Sequence, residues 1–105
     1  MRVYFNDTQY IEVVIDTLED FINWYGEENE GYFLSINRQA NQNGGMFGII
    51  FAPDVKHLEH IVRHEAGHAA YHWIRVHGYK VDEEEEILTM QDAIYEAFMK
   101  EYRKE

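Results

Sequence analysis

Residues 53–78, PDVKHLEHIVRHEAGHAAYHWIRVHG, decide how this chain is read. The stretch opens on a proline, which cannot continue a strand ladder, and closes on a glycine, the commonest residue just past a helix end. Between them Leu58, Ile61, Val62, Ala69, Trp73 and Val76 recur at three and four residues, so the spacing predicts a helix over residues 55–77 with Asp54 as its cap. That helix carries His64-Glu65-Ala66-Gly67-His68 at its middle.

Upstream, YFLSINR and MFGIIFA are apolar runs rich in strand formers, separated by the turn-forming QANQNGG, and together they predict a β-hairpin. Ahead of the hairpin, Ile11, Val14, Ile15, Leu18, Ile22 and Tyr25 also recur at three and four residues. That spacing predicts a helix over residues 8–25 despite its β-branched content. Val3, Tyr4 and Phe5 predict a short strand closed by Asn6-Asp7, a pair that forms turns and can also cap a helix. Downstream, Ile87, Met90, Ile94, Ala97 and Phe98 predict a last helix over residues 83–104, opened by Asp82. The expected architecture is α+β: one domain over residues 1–105, with a small antiparallel sheet and the motif helix and C-terminal helix packed on it.

Composition agrees with one compact domain. The 105 residues are 46% hydrophobic and 15% aromatic, enough for a single core and too few for two domains. With no cysteine, any metal must be held by histidine and carboxylate, and nothing argues for an oxidising compartment. The N-terminus MRVYFNDTQY lacks a basic region followed by a long apolar run, and no apolar run approaches the ~20 residues that span a bilayer. A soluble, cytoplasmic protein is expected. The net charge of -11 argues against direct nucleic-acid binding, which depends on Lys and Arg neutralising phosphates.

The motif has a bland reading and a chemical one. Six histidines and twenty acidic residues make a decorated wet helix face a real alternative. The chemical reading rests on geometry: residues four apart share a helix face with Cβ atoms about 6 Å apart, so His64 and His68 can reach one ion. Glu65 then points beside the metal, where a base must sit to deprotonate water. His60 and His72 extend the same ladder but flank the site, and His57 is expected on the surface. Tyr71, Tyr79 and Tyr95 are each able to donate to an oxyanion, without a sequence reason to choose among them.

HEAGH on a helix after a strand, followed by a loop and a glutamate-led helix, resembles the minimal zincin metallopeptidases, including the ImmA/IrrE-type and other small proteins of phages and mobile elements. The resemblance covers roughly residues 44–98. It implies His64 and His68 as zinc ligands, a downstream glutamate as the third, and Glu65 as general base. Two relatives are excluded. The metzincin pattern requires glycine where Tyr71 stands and histidine where Ile74 stands. A SprT-like site requires a histidine soon after the helix, and His77 falls about 180° around from His68 if the helix continues to Gly78.

The downstream acid is chosen by helical phase. Asp82 suits the N-cap and Glu85 its capping-box partner, with Leu88, Thr89, Asp92 and Glu96 making the face of Glu85 mostly polar. Glu84 lies on neither the apolar face nor the cap. Glu86 shares its face with Met90, Ala93, Ile94 and Ala97 and is expected to point inward as the third ligand, with Glu83 as runner-up; all four glutamates also favour the positive helix N-terminus without any metal. The expected function is a zinc-dependent hydrolase acting on a peptide or flexible segment of a partner protein. The competing class is a non-catalytic acidic inhibitor that occupies a basic groove, as a nucleic-acid mimic does.

Overall fold

The computed structural model describes residues 1–36, 45–77 and 84–103. The chain runs β1 (Arg2–Tyr4), β2 (Gln9–Asp16), α1 (Leu18–Tyr25), β3 (Tyr32–Ser35), β4 (Gly45–Pro53), α2 (Leu58–Val76) and α3 (Glu84–Tyr102). The fold is α+β, with a four-stranded sheet in the order β1-β2-β4-β3. The expected hairpin of β3 and β4 is present, with Tyr32 opposite Phe51 and Phe33 opposite Ile50. The last helix matches its expected range within two residues, and α2 begins three residues later than residue 55. Asp82, Glu83, Gly78 and most of QANQNGG lie outside the described residues.

One element is corrected. Residues 8–25 are not a single helix: β2 occupies Gln9–Asp16, and only Leu18–Tyr25 is helical. Gln9, Ile11 and Val13 are buried in alternation, a period of two that the spacing of Ile11, Val14 and Ile15 conceals. Four β-branched residues between positions 11 and 15 favour a strand, and neighbours on both sides complete its hydrogen bonding. Asn6 makes the turn rather than a helix cap. Its Oδ1 accepts from the backbone N–H of Thr8 at 3.0 Å and of Gln9 at 2.8 Å, reversing the chain from β1 into β2. The helix cap falls instead at Thr17, whose hydroxyl accepts from the Asp20 N–H at 3.2 Å.

The sheet is also not purely antiparallel. β2 and β4 pair in parallel at its centre, from Gln9 beside Gly45 to Asp16 beside Pro53. A parallel pair needs a long crossover, and α1 with β3 supplies it. β4 is thereby held between β2 and β3 and delivers the chain into α2 beside the middle of the sheet.

One face of the sheet carries the main core. Val3, Ile11, Val13, Phe47, Ile50 and Ala52 meet Leu58, Ile61, Val62 and Ala66 of α2 and Ile94, Phe98 and Met99 of α3. On the opposite side of β4, Phe51 meets the Tyr25 ring of α1 at 5.3 Å, and Tyr25 in turn stacks on Tyr32 at 5.5 Å. Gly67 lets the two long helices approach: a Cβ there would sit 2.9 Å from Gln91 Nε2, which donates to the Arg63 carbonyl at 2.9 Å. No described helix is long and apolar enough to cross a membrane.

Phe98 is fully buried where α3 closes the core, whereas Leu88 on the same helix is 52% exposed. Phe98→Ala is therefore expected to cost about 3–5 kcal/mol and Leu88→Ala less than about 0.5 kcal/mol, as read from urea unfolding midpoints.

Candidate metal centre

The helix α2 buries a broad arc and leaves one stripe in water. Ile61, Glu65 and Ala69 form a single i, i+4, i+8 row, drifting by about 40° per step, and all three are buried. Glu65 thus sits within an apolar row. His64 and His68 lie about 60–100° around the helix from it and are exposed. Their rings meet edge to face with centroids 5.0 Å apart. The imidazole nitrogens and the Glu65 carboxylate all lie within 4.8 Å of one another, so these three side chains form a group able to hold a metal ion.

Several observations support that fit. The donors are borderline nitrogen and hard oxygen, a set suited to a divalent transition metal or zinc. Glu65 is only 5% exposed, yet among the described residues its carboxylate accepts no hydrogen bond. Burial pushes the Glu65 carboxyl above its ordinary value of 4.5, and the neighbouring His68 and His64 pull it partly back.

The group opens into a cleft of about 620 Å³. Its far wall is the loop from α1 to β3, which contributes Glu28, Asn29 and Glu30, followed by Tyr32 of the edge strand. The approach of that loop depends on Gly31. A Cβ on Gly31 would lie 2.7 Å from Ile61 Cγ2 and 3.1 Å from Glu65 Oε2, so only glycine lets the backbone rest against the carboxylate. Sequence reasoning did not connect these residues to the motif, because more than thirty positions separate them and no spacing rule spans that distance.

The other expected residues are dispersed. Glu86 is exposed and lines a separate pocket with Trp73, Ile74 and Met90, beyond the C-terminal side of His68 along α2, so the structure does not bring it into the metal-capable group. Glu85 lines the same second pocket, and Glu83 lies outside the described residues. His77 stacks on Trp73 with centroids 4.0 Å apart, and its Nδ1 pairs with the Trp73 carbonyl at 2.9 Å, away from His68. The half-buried His72 ring packs against Phe33 and Phe47, and His57 and His60 are exposed. Tyr71 stands beside Arg75 and Tyr95 beside Arg63, and neither lines the cleft; Tyr79 lies outside the described residues. No protein-family model, curated protein or solved structure matches the chain.

The raised carboxyl of Glu65 sets a pH signature for the metal-free protein. Folding favours its protonated form, so between the unfolded value and the raised folded value the native state holds more protons, and stability falls as pH rises. Glu65→Gln removes that penalty. The variant is expected to be more stable than the metal-free wild type at pH 7 by about 1 kcal/mol, roughly 4–8 °C in Tm, with the advantage vanishing below about pH 4. Thermal unfolding at both pH values in the presence of a chelator checks it.

Proposed function

We propose that the chain is a zinc-dependent hydrolase of peptidase type in which His64 and His68 hold the ion and Glu65 is the general base. The observation that carries this reading is the Glu65 carboxylate, set in the apolar row of α2 and within 4.8 Å of an exposed histidine pair at the wall of a cleft. A decorated surface helix accounts for His64 and His68, but not for a carboxylate placed in the apolar row of the same helix.

When bound, zinc polarises the substrate carbonyl and lowers the pKa of water toward about 7. Glu65 accepts the water proton as its oxygen attacks the carbonyl carbon, and passes that proton to the leaving amine nitrogen. His64 and His68 would hold that ion at the cleft wall, beside the Glu65 carboxylate. The exposed edge strand β3 begins at the cleft, so an extended peptide adding to that edge would pass the histidines.

One zinc per chain is expected in the wild type, with His64→Ala and His68→Ala each losing the metal and the thermal stabilisation that it provides. Glu65→Gln is expected to keep zinc and to lose hydrolysis of a peptide library by about 10²–10⁴-fold, followed by mass spectrometry of the products. Absence of zinc from all four proteins would end the reading. Equal hydrolysis by wild type and Glu65→Gln would remove Glu65 from the chemistry, and a biological effect unchanged by that substitution would favour the acidic inhibitor.

A further inference from the structure

The cleft wall facing the histidines is unusual in its charge. Glu28 and Glu30 both line it, no lysine or arginine does, and neither glutamate forms an ion pair among the described residues. The floor adds a third carboxylate, Glu65, which is nine-tenths buried and has no hydrogen-bond partner there. An acidic rim on an acidic protein is by itself unremarkable surface. Here it shares one cleft with a buried polar group directed at whatever enters, and the loop bearing it is fixed at both ends.

The fixing contacts are specific. At the start of the loop the Gly26 N–H donates to the Ile22 carbonyl at 2.8 Å, and Asn29 Nδ2 donates to the Tyr25 carbonyl. At its end Gly31 rests against Ile61 and Glu65, and Tyr32 stacks on Tyr25. Glu28 and Glu30 are therefore presented from an anchored backbone, with little ordering left to be done when a ligand binds. Tyr32 adds an aromatic wall along which the aliphatic stem of a long cationic side chain can lie.

We infer that the cleft selects peptides carrying lysine or arginine beside the bond presented to His64 and His68, with Glu28 and Glu30 as the specificity-determining pair. This rests on the peptidase reading for its reference to a bond; the selection itself is a binding property. Glu65 counters one of the two charges of a bound divalent ion, and Glu28 and Glu30 together outweigh the one that remains, leaving a negative field at the rim. An acidic peptide meets that field as repulsion, so the cleft both attracts one class and rejects the other.

The test uses two dye-labelled peptides of neutral small residues, identical except for three central lysines or three central glutamates. Each is titrated by fluorescence anisotropy into wild-type protein held metal-free with a chelator, so that binding is read without turnover and Glu65 keeps its carboxylate. The lysine peptide is expected to bind at least about tenfold more tightly than the glutamate peptide, with the ratio falling below about threefold when Glu28→Gln and Glu30→Gln are added. Glu84→Gln with Glu96→Gln removes the same charge from exposed positions of α3 and is expected to leave the ratio intact. An equal fall in both pairs would assign the preference to the bulk charge of -11 and overturn the inference, as would the absence of any preference or of any binding. A local preference in a wild type that hydrolyses nothing would retain the selection and discard the peptidase reading; hydrolysis without a local preference would do the reverse.

Discussion

Setting a carboxylate in the apolar row of a packed helix works against folding, and the arrangement around Glu65 is the constraint to which the rest of the site answers. Its position in the row Ile61, Glu65, Ala69 forces it toward the core whenever α2 packs on the sheet. Packing of that helix is in turn required by the apolar residues on either side of the row. The same helical turn that buries Glu65 leaves His64 and His68 in water about 60–100° away, so one rigid element sets both the depth of the carboxylate and the exposure of the imidazoles. Gly31 then closes the loop over the carboxylate without a side chain in the way.

This arrangement places stability and the proposed chemistry in opposition at one residue. A neutral side chain at position 65 relieves the burial of charge, and it also removes the only acid within reach of the histidine pair among the described residues. Functional sites commonly carry such a local cost, offset by packing elsewhere. Here the offsetting packing is close by. Val62, Ala66 and Ala70 are fully buried on the neighbouring row, and the contact of Gln91 with the Arg63 carbonyl ties α3 to the same turn of α2.

The motif helix, the hairpin and the last helix were legible in the sequence because each carries one unambiguous period bounded by proline, glycine or acidic residues. Residues 8–25 were not. Ile11, Val14, Ile15 and Leu18 satisfy a helical template, while burial at Gln9, Ile11 and Val13 follows a strand, and the deciding factor was pairing with β1 and β4, which local spacing does not contain. The parallel centre of the sheet was hidden for the same reason, since it follows only once β2 is recognised as a strand. Within the site, His64, Glu65 and His68 were legible from their spacing alone. Helical phase put Glu86 on the face shared with Met90, and the two do line one pocket, but phase carries no information about which part of α2 that face meets; the structure sets it beside Trp73 and Ile74. Glu28, Glu30 and Tyr32 were invisible because a loop and an edge strand brought them to the helix across the fold.

The central claim is that His64 and His68 act together on one ion. Zinc K-edge X-ray absorption of protein loaded with one equivalent of zinc and then desalted tests it most directly, because the spectrum distinguishes imidazole from simple oxygen ligands. The account predicts two imidazole nitrogens at about 2.0–2.1 Å with oxygen completing the shell. A shell without imidazole, or a histidine shell that persists unchanged after both His64→Ala and His68→Ala are introduced, would contradict it.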